Sequence, residues 1–488
     1  MFRFSALHAP KWLFPCLFLI LASCQQQPQE VTLVIDHVNT IDAVQGLAQD
    51  MTVVIRGNEI VAYGKSGTVE IPSWAKVVDG QGKYLIPGLW DAHVHLTFDA
   101  DISPAMYRLF LANGITSVRD TGGLIHLVAP MKAEAEANPT HTPRVKMAGP
   151  LIDGPPRVYD GSTPFRPEIS VGVNDEAGAR AMVDYLDSMG VDLIKAYEML
   201  SPELFRAVVD QASKHGLPVT GHIPLSMDVI SASSTGLASM EHMRNVEMSC
   251  VDHPADWLER RRHMLAAGAN QAGGVLRSSL HQAQRYDALQ VQDSMNTQAV
   301  LQALKENNTW QCPTLTIVAA RENQVYARPE WRENYQHLPP KVKDAWTENS
   351  TRMAEQQTDP NALSYAEWGY NMVNKMNQAE IGIMAGTDCP IFFLTPGFSL
   401  HEELRLLVKA GLTPAEALES ATLRPAQYFG MEDQLGTIGT GKLADLVLLN
   451  ENPLEDISHT EDIDCVIRDG YLHDRNALNA MLRPADFH

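Results

Sequence analysis

His93 and His95 stand two residues apart in the segment Leu89-Trp90-Asp91-Ala92-His93-Val94-His95. On a β-strand, side chains two apart point to the same side, so the two imidazoles would face one point. Neutral imidazole is a ligand for divalent metals such as zinc, and carboxylate oxygen is another. The pair alone suggests only a metal. Further along, Lys195, His222, His242 and Asp388 stand at or just after the ends of apolar, β-type segments. Their positions therefore depend on what carries them.

Eight short segments read as strands: 89–95, 115–120, 144–148, 193–197, 218–223, 239–243, 310–315 and 383–387. Helix-forming stretches such as 176–188 and 202–215 separate most of them. Strands alternating with helices read as an α/β fold, a (β/α)8 TIM barrel, whose catalytic groups gather at the C-terminal ends of the strands. The metal-competent residues fall at such ends on the first, fourth, fifth, sixth and eighth strands. Residues 86–435 are the expected barrel. Polar, helix-forming stretches at about 250–308 and 320–380 read as insertions after strands six and seven, over the mouth of the site. Residues 31–85 and 436–475 are rich in short strands and are expected to combine into one small β-sandwich. Residues 476–488 form a tail.

The N-terminus reads as an address. Arg3 and Lys11 are basic, no acid precedes Glu30, and an apolar run covers residues 12–22. This is a secretory signal in charge and length, too short for a comfortable membrane span. It ends Leu21-Ala22-Ser23-Cys24, which resembles a bacterial lipoprotein signal. The resemblance implies removal of residues 1–23, lipid on the Cys24 thiol, and a polar tether over 24–30. The expected location is the bacterial cell envelope, lipid-anchored at the periplasmic side of an outer membrane, or else free in the periplasm.

The rest of the composition sets bounds. With 488 residues and 45% apolar side chains, the chain can bury a large core plus a second small one. Its formal charge of -21 repels phosphate backbones and argues against nucleic acid as a partner. Cys250, Cys312, Cys389 and Cys465 are too far apart for a zinc finger and read as buried free thiols.

The ordered set Pro87-Gly88-Leu89-Trp90-Asp91-Ala92-His93-Val94-His95, Ile194-Lys195, Gly221-His222, Glu241-His242 and Ala385-Gly386-Thr387-Asp388 resembles the amidohydrolase superfamily. The tail from Thr413-Pro414-Ala415-Glu416 to Gly441-Lys442-Leu443-Ala444-Asp445-Leu446 matches as well. The likeness covers nearly all of residues 31–475 and is strongest to the imidazolonepropionase-like and prolidase-like (Xaa-Pro dipeptidase) branch. It implies two divalent metal ions per chain, zinc by default. His93, His95 and Asp388 would hold the first, and His222 and His242 the second. Lys195, carboxylated on its amine, would bridge them. Asp388 would also be the catalytic proton carrier. The implied reaction is cleavage of a C–N amide bond by metal-activated hydroxide, as in a cell-envelope dipeptidase acting on small peptides.

Other residues are weighed on position. Tyr197, His126 and Arg157 are candidate substrate contacts. Arg119, like Arg157, could meet a substrate carboxylate, but each reads first as half of a structural salt bridge. Asp91 and Glu241 read as supports for the ligands. Phe392, Phe393, Leu394 and Phe398 could wall an apolar substrate site. His215 and His401 have no ligand spacing, and Cys389 lacks a paired base for a nucleophile's role. One departure matters. After the fifth strand the chain reads Gly221-His222-Ile223-Pro224, without a tyrosine of the kind that grips a peptide carboxylate in prolidase-like members. Xaa-Pro specificity is therefore in question. A lactonase, an organophosphate hydrolase or a cyclic-amide (imidazolone-type) hydrolase on the same site are alternatives. A non-catalytic binding lipoprotein is the alternative of another class. Self-association as a homo-oligomer is compatible with each.

Overall fold

The computed structural model describes residues 32–163 and 166–484. The signal, the tether and Cys24 lie outside them. Among the described residues no helix is long and apolar enough to cross a membrane.

The centre is a ring of parallel strands wrapped by helices. Leu89–Val94 pairs with Ile115–Asp120, and that strand with Arg144–Met147. Leu151–Asp153 continues the third position and pairs with Ile194–Ala196. Val219–Gly221, Ser239–Glu241 and Trp310–Cys312 follow in order. The eighth position, expected at 383–387, is not a regular strand. It is stitched to both neighbours by single bridges, Gln311 to Ile383 and Val94 to Cys389. The hydrogen bonds Met384 N to Gln311 O, 2.8 Å, and Ala92 N to Ala385 O, 2.9 Å, close the ring. Gly386 lies so near that a Cβ would fall 2.7 Å from His93 N, which holds the segment too close for ordinary strand spacing.

Two further details depart from the sequence reading. The third strand, expected to end at 148, resumes at Leu151–Asp153 after a turn at Gly149-Pro150, where Gly149 adopts φ +72, a conformation that favours glycine. A short extra strand, Ser170–Gly172, pairs outside the ring with Leu151–Asp153. The helices form for ordinary reasons. Pro202–Lys214 starts with Pro at its first turn and is capped by the Ser201 hydroxyl accepting from Leu204 N. It buries Leu204, Phe205, Ala207, Val208 and Ala212 against the barrel. The stretches expected as insertions are helical, with Pro254–Ala267, Gly273–Gln290 and Ser294–Glu306 in one and Pro340–Ala354 and Pro360–Gln378 in the other.

The strands of the two chain ends form one hydrogen-bonded sheet of eight strands. Tyr84–Pro87 is its seam, pairing with Thr32–Asp42 on one side and Leu446–Leu449 on the other. The sheet bends over its own core, and Ile60 N reaches Lys442 O at 2.8 Å across the fold. The strand Leu446–Leu449 is apolar at every position because both faces are covered. Leu446 and Leu448 pack into the small core, while Val447 and Leu449 pack against the barrel. Leu446 is wholly buried, so Leu446→Ala is expected to lower the unfolding free energy by about 2–5 kcal/mol. Val44→Ala, at a position 73% exposed, should change it by less than about 0.5 kcal/mol. Denaturant titration of the two variants measures both.

Candidate metal centre

The side chains at the C-terminal ends of the strands converge on one cavity of about 150 Å³. His93, His95, Lys195, His222, His242 and Asp388 all line it. His93 and Lys195 are carried inside strands, whereas His95, His222 and His242 follow theirs directly. The ligand atoms of His93, His95 and Asp388 lie within 4.8 Å of one another. Asp388 Oδ1 is 3.2 Å from His93 Nε2 and 3.0 Å from His95 Nε2. Asp388 Oδ2 is 3.9 Å from His242 Nε2. The His222 and His242 rings meet edge to face at 4.9 Å between centroids.

The four imidazoles share one orientation, and the protein sets it. His93 Nδ1 donates to the buried Glu241 carboxylate at 2.6 Å. His95 Nδ1 donates to the Gly122 carbonyl at 2.9 Å. His222 Nδ1 donates to Glu198 at 2.5 Å. His242 Nδ1 donates to Thr314 Oγ1 at 2.5 Å, whose own proton goes to the Pro313 carbonyl. With Nδ1 carrying the hydrogen in each ring, every Nε2 turns its lone pair to the cavity. Burial holds the His222 imidazolium down to about 3 and that of His242 well below its usual value, so both rings are neutral near pH 7.

Two abrupt backbone turns aim these groups. His242 (φ +58) and Asp388 (φ +67) both sit in the left-handed region, sparsely used by non-glycine residues. His242 N to Cys312 O, 2.9 Å, and Asp388 N to His93 O, 2.7 Å, pin the two turns. Asp91 fastens the second one further, accepting from Thr387 N at 3.0 Å and Thr387 Oγ1 at 2.7 Å. Asp91 and Glu241 thus support the ligands, and Arg119 pairs with Glu241 at 3.0 Å.

The donor set fits a divalent cation. His93 Nε2, Lys195 Nζ and Asp388 Oδ1 are buried and have no hydrogen-bond partner among the described residues. Buried polar atoms are nearly always paired, so three orphans facing one small cavity mark a place where a ligand completes the structure. Burial pushes the Lys195 ammonium down to about 8, against the attraction of Glu241 and with the repulsion of Arg119. A lysine so placed is held near the neutral form that could be carboxylated.

The substrate candidates fare unevenly. Tyr197 is buried in the cavity wall, its ring 4.4 Å from that of His222. His126 is exposed on the helix Ile125–Ala137 and does not line the cavity. The turn Gly122-Gly123 starts that helix with His126 on its outer face. Arg157 is also outside the lining, since it pairs with Glu168 at 3.2 Å and the Ser170 carbonyl. Phe392 does line the cavity, and Phe393 lines a larger space outside it. His215 pairs with surface Asp184 and Asp187, and His401 is buried against Thr460 and Asn113. The four cysteines are free and buried.

Sequence reasoning missed Glu198, Arg244 and Arg277. Glu198 is wholly buried and receives His222, His281 Nε2 at 2.8 Å and Arg277 Nε at 2.9 Å. Arg244 and Arg277 both line the cavity, and Arg244 Nε is buried without a partner among the described residues. Glu198 follows the end of strand four and Arg244 lies two residues beyond His242, so strand-end position could have signalled both. Arg277 comes from the insertion helix Gly273–Gln290, and nothing local places it there.

A model of the amidohydrolase family matches residues 84–472. An imidazolonepropionase of Streptomyces avermitilis is 26% identical over 420 residues, 83% of this chain and 82% of that one. Among solved structures, a Xaa-Pro dipeptidase with bound methionine superposes at a TM-score of 0.65 with 21% identity, covering 91% of this chain and 100% of that one. A bottromycin amidohydrolase superposes at 0.66 with 24% identity, covering 93% and 89%.

If Glu198 fixes the His222 tautomer, Glu198→Gln should weaken retention of divalent metal by about 10–100-fold. Competition with a chelator on the folded variant measures this. Glu241→Gln strands the Arg119 charge in the core and should cost about 3–5 kcal/mol of stability, read by denaturant unfolding.

Proposed function

The chain belongs to the amidohydrolase family, and from that premise we propose that it hydrolyses a peptide-type amide bond to an amino acid with a free carboxylate. Coarsely it is a metal-binding hydrolase of C–N bonds acting on small molecules. The finer reading is a cell-envelope dipeptidase or N-acyl-amino-acid hydrolase, anchored through Cys24. The single observation that carries this reading is the cavity itself, which orphaned ligand atoms and the arginines Arg244 and Arg277 line together. The former suit a metal-assisted attack on a carbonyl. The latter suit a carboxylate held beside the scissile bond.

His93, His95, His222, His242 and Asp388, together with Lys195 once carboxylated, would hold two divalent cations. Bound there, the cations supply Lewis-acid polarisation of the carbonyl and a water acidified to near neutrality. The other steps belong to this chain. Arg244 and Arg277 orient the substrate by its carboxylate. Tyr197, packed on His222, closes the wall beside the reacting carbonyl. Asp388 takes the proton of the attacking water and returns it to the leaving nitrogen. Phe392 and Ile391 screen the cavity from bulk water.

A second reading, opening of a cyclic amide, draws on the similarity to imidazolonepropionases. One panel of dipeptides, N-acyl amino acids and cyclic amides separates the two. Hydrolysis should vanish on chelation and in His93→Ala, and return in the wild type with added zinc. Arg244→Gln should lower kcat/KM about 10–100-fold for substrates with a free carboxylate and leave their carboxamide counterparts nearly unchanged. Equal loss on both classes would reject the carboxylate contact.

A further inference from the structure

Glu402 and Glu403 stand side by side on the helix Phe398–Lys409, and both are buried. Glu402 pairs with Arg328 and Arg405, each at 2.9 Å. Glu403 is wholly inaccessible and has no ion pair among the described residues. A buried acid without a cation is costly unless hydrogen bonds satisfy it. Its bonds all go to the turn that follows the seventh strand. Oε1 accepts from Leu315 N at 2.9 Å, and Oε2 accepts from Thr316 N at 2.8 Å. Thr316 Oγ1 stands 3.0 Å from the same Oε2 and 2.9 Å from the Thr387 carbonyl oxygen. A hydroxyl has one proton and cannot donate to both. Burial pushes the Glu403 carboxyl up to about 8, and a neutral acid resolves the count. Its O–H then donates to Thr316 Oγ1, and that hydroxyl donates to the Thr387 carbonyl.

The same turn touches the metal centre from behind, in two places. Thr314 (φ +45) brings its Oγ1 to His242 Nδ1 at 2.5 Å. Thr387, whose carbonyl Thr316 reaches, directly precedes Asp388. Sheet pairing cannot fix this turn. The ladder of the seventh strand stops at Cys312, and Pro313 has no N–H to extend it. The first two N–H groups after Thr314 are the ones that Glu403 takes. The groups so reached are the candidate ligands that left-handed backbone aims inward, His242 and Asp388.

We propose that Glu403 is a positioning residue for the metal centre, holding the turn 313–316 so that Thr314 sets the His242 ring and Thr316 fixes the backbone that delivers Asp388. Glu403 does not line the cavity itself. The inference rests on the metal-centre reading above and extends it to a residue behind the site.

The test reads cobalt(II) on the folded protein, by chelator competition and by visible absorption, with no substrate present. Glu403→Gln keeps the volume, but whichever way the amide turns, its NH2 meets the N–H of Leu315 or of Thr316. Cobalt retention should fall about tenfold. The visible spectrum should shift as the ligand geometry changes. Thr316→Val removes the hydroxyl alone and should weaken retention about three- to tenfold, and Thr316→Ser should restore it. Glu402→Gln is the control. It breaks the pairs with Arg328 and Arg405 one residue away, so it should lower unfolding stability and leave retention and spectrum unchanged. If Glu403→Gln folds poorly, the two Thr316 variants decide. Wild-type retention and spectrum in Glu403→Gln and Thr316→Val, whatever their stability, overturn the inference and leave the proposed function standing. An equal loss of cobalt in Glu402→Gln would mark general loosening and overturn it as well. A wild-type protein that retains no divalent metal overturns the metal centre, and this inference with it.

Discussion

The barrel interior depends on one buried carboxylate. Glu241 is wholly inaccessible, and it accepts hydrogen bonds from Arg119, His93 and the Thr220 hydroxyl. Those partners come from the second, first and fifth strands, and Glu241 itself ends the sixth. Arg119 extends the network, donating to the Ala92 carbonyl and, at 3.0 Å, to Ser239 Oγ. A charged pair so deep gains little net stability over an apolar filling. What it fixes is geometry. It sets the relative rotation of four strands, and with it the direction of His93 Nε2. An apolar filling of equal volume could pack as well, but could not choose the tautomer.

The same logic explains why the last barrel position is irregular. A straight strand there would carry Asp388 past the cavity. The close approach at Gly386, the Asp91–Thr387 bonds and the positive φ at Asp388 turn the chain inward instead. Local strain of about 1–3 kcal/mol is tolerated because hydrogen bonds from the first strand over-determine the turn. Asp91 is therefore to the eighth position what Glu241 is to the sixth. Each is a buried acid that spends itself on orienting a neighbour.

Much of this was legible in the sequence. The strand segments are short apolar runs that end in polar residues, and the barrel's rule of C-terminal function picks out His93, His95, Lys195, His222, His242 and Asp388. The structure brings all of them to one cavity. The two chain ends were readable as one β-rich unit because both are rich in short strands. The end of the third strand at 148 was readable, since Gly149-Pro150 cannot continue a ladder, but its resumption at Leu151–Asp153 was not. His126 failed for a different reason. Proximity to a strand end does not fix the face of the helix that follows, and this histidine points outward. Arg277 was out of reach, because an insertion's docking is a long-range property with no local pattern.

The docking of that insertion has consequences for the site. Glu198 joins what the sequence presents as separate matters, the candidate metal ligand His222 and the insertion residues Arg277 and His281. The attraction of Arg277 and His281 outweighs the cost of burial and holds the Glu198 carboxyl well below its usual range. A permanently ionised Glu198 can receive the His222 proton and the Arg277 guanidinium at once. The insertion helix is thus tied to the orientation of a candidate metal ligand and is more than a cover. Arg277, held to Glu198 by its Nε, also lines the cavity that the histidines line. One buried acid therefore ties the orientation of a candidate metal ligand to an arginine that lines the same cavity.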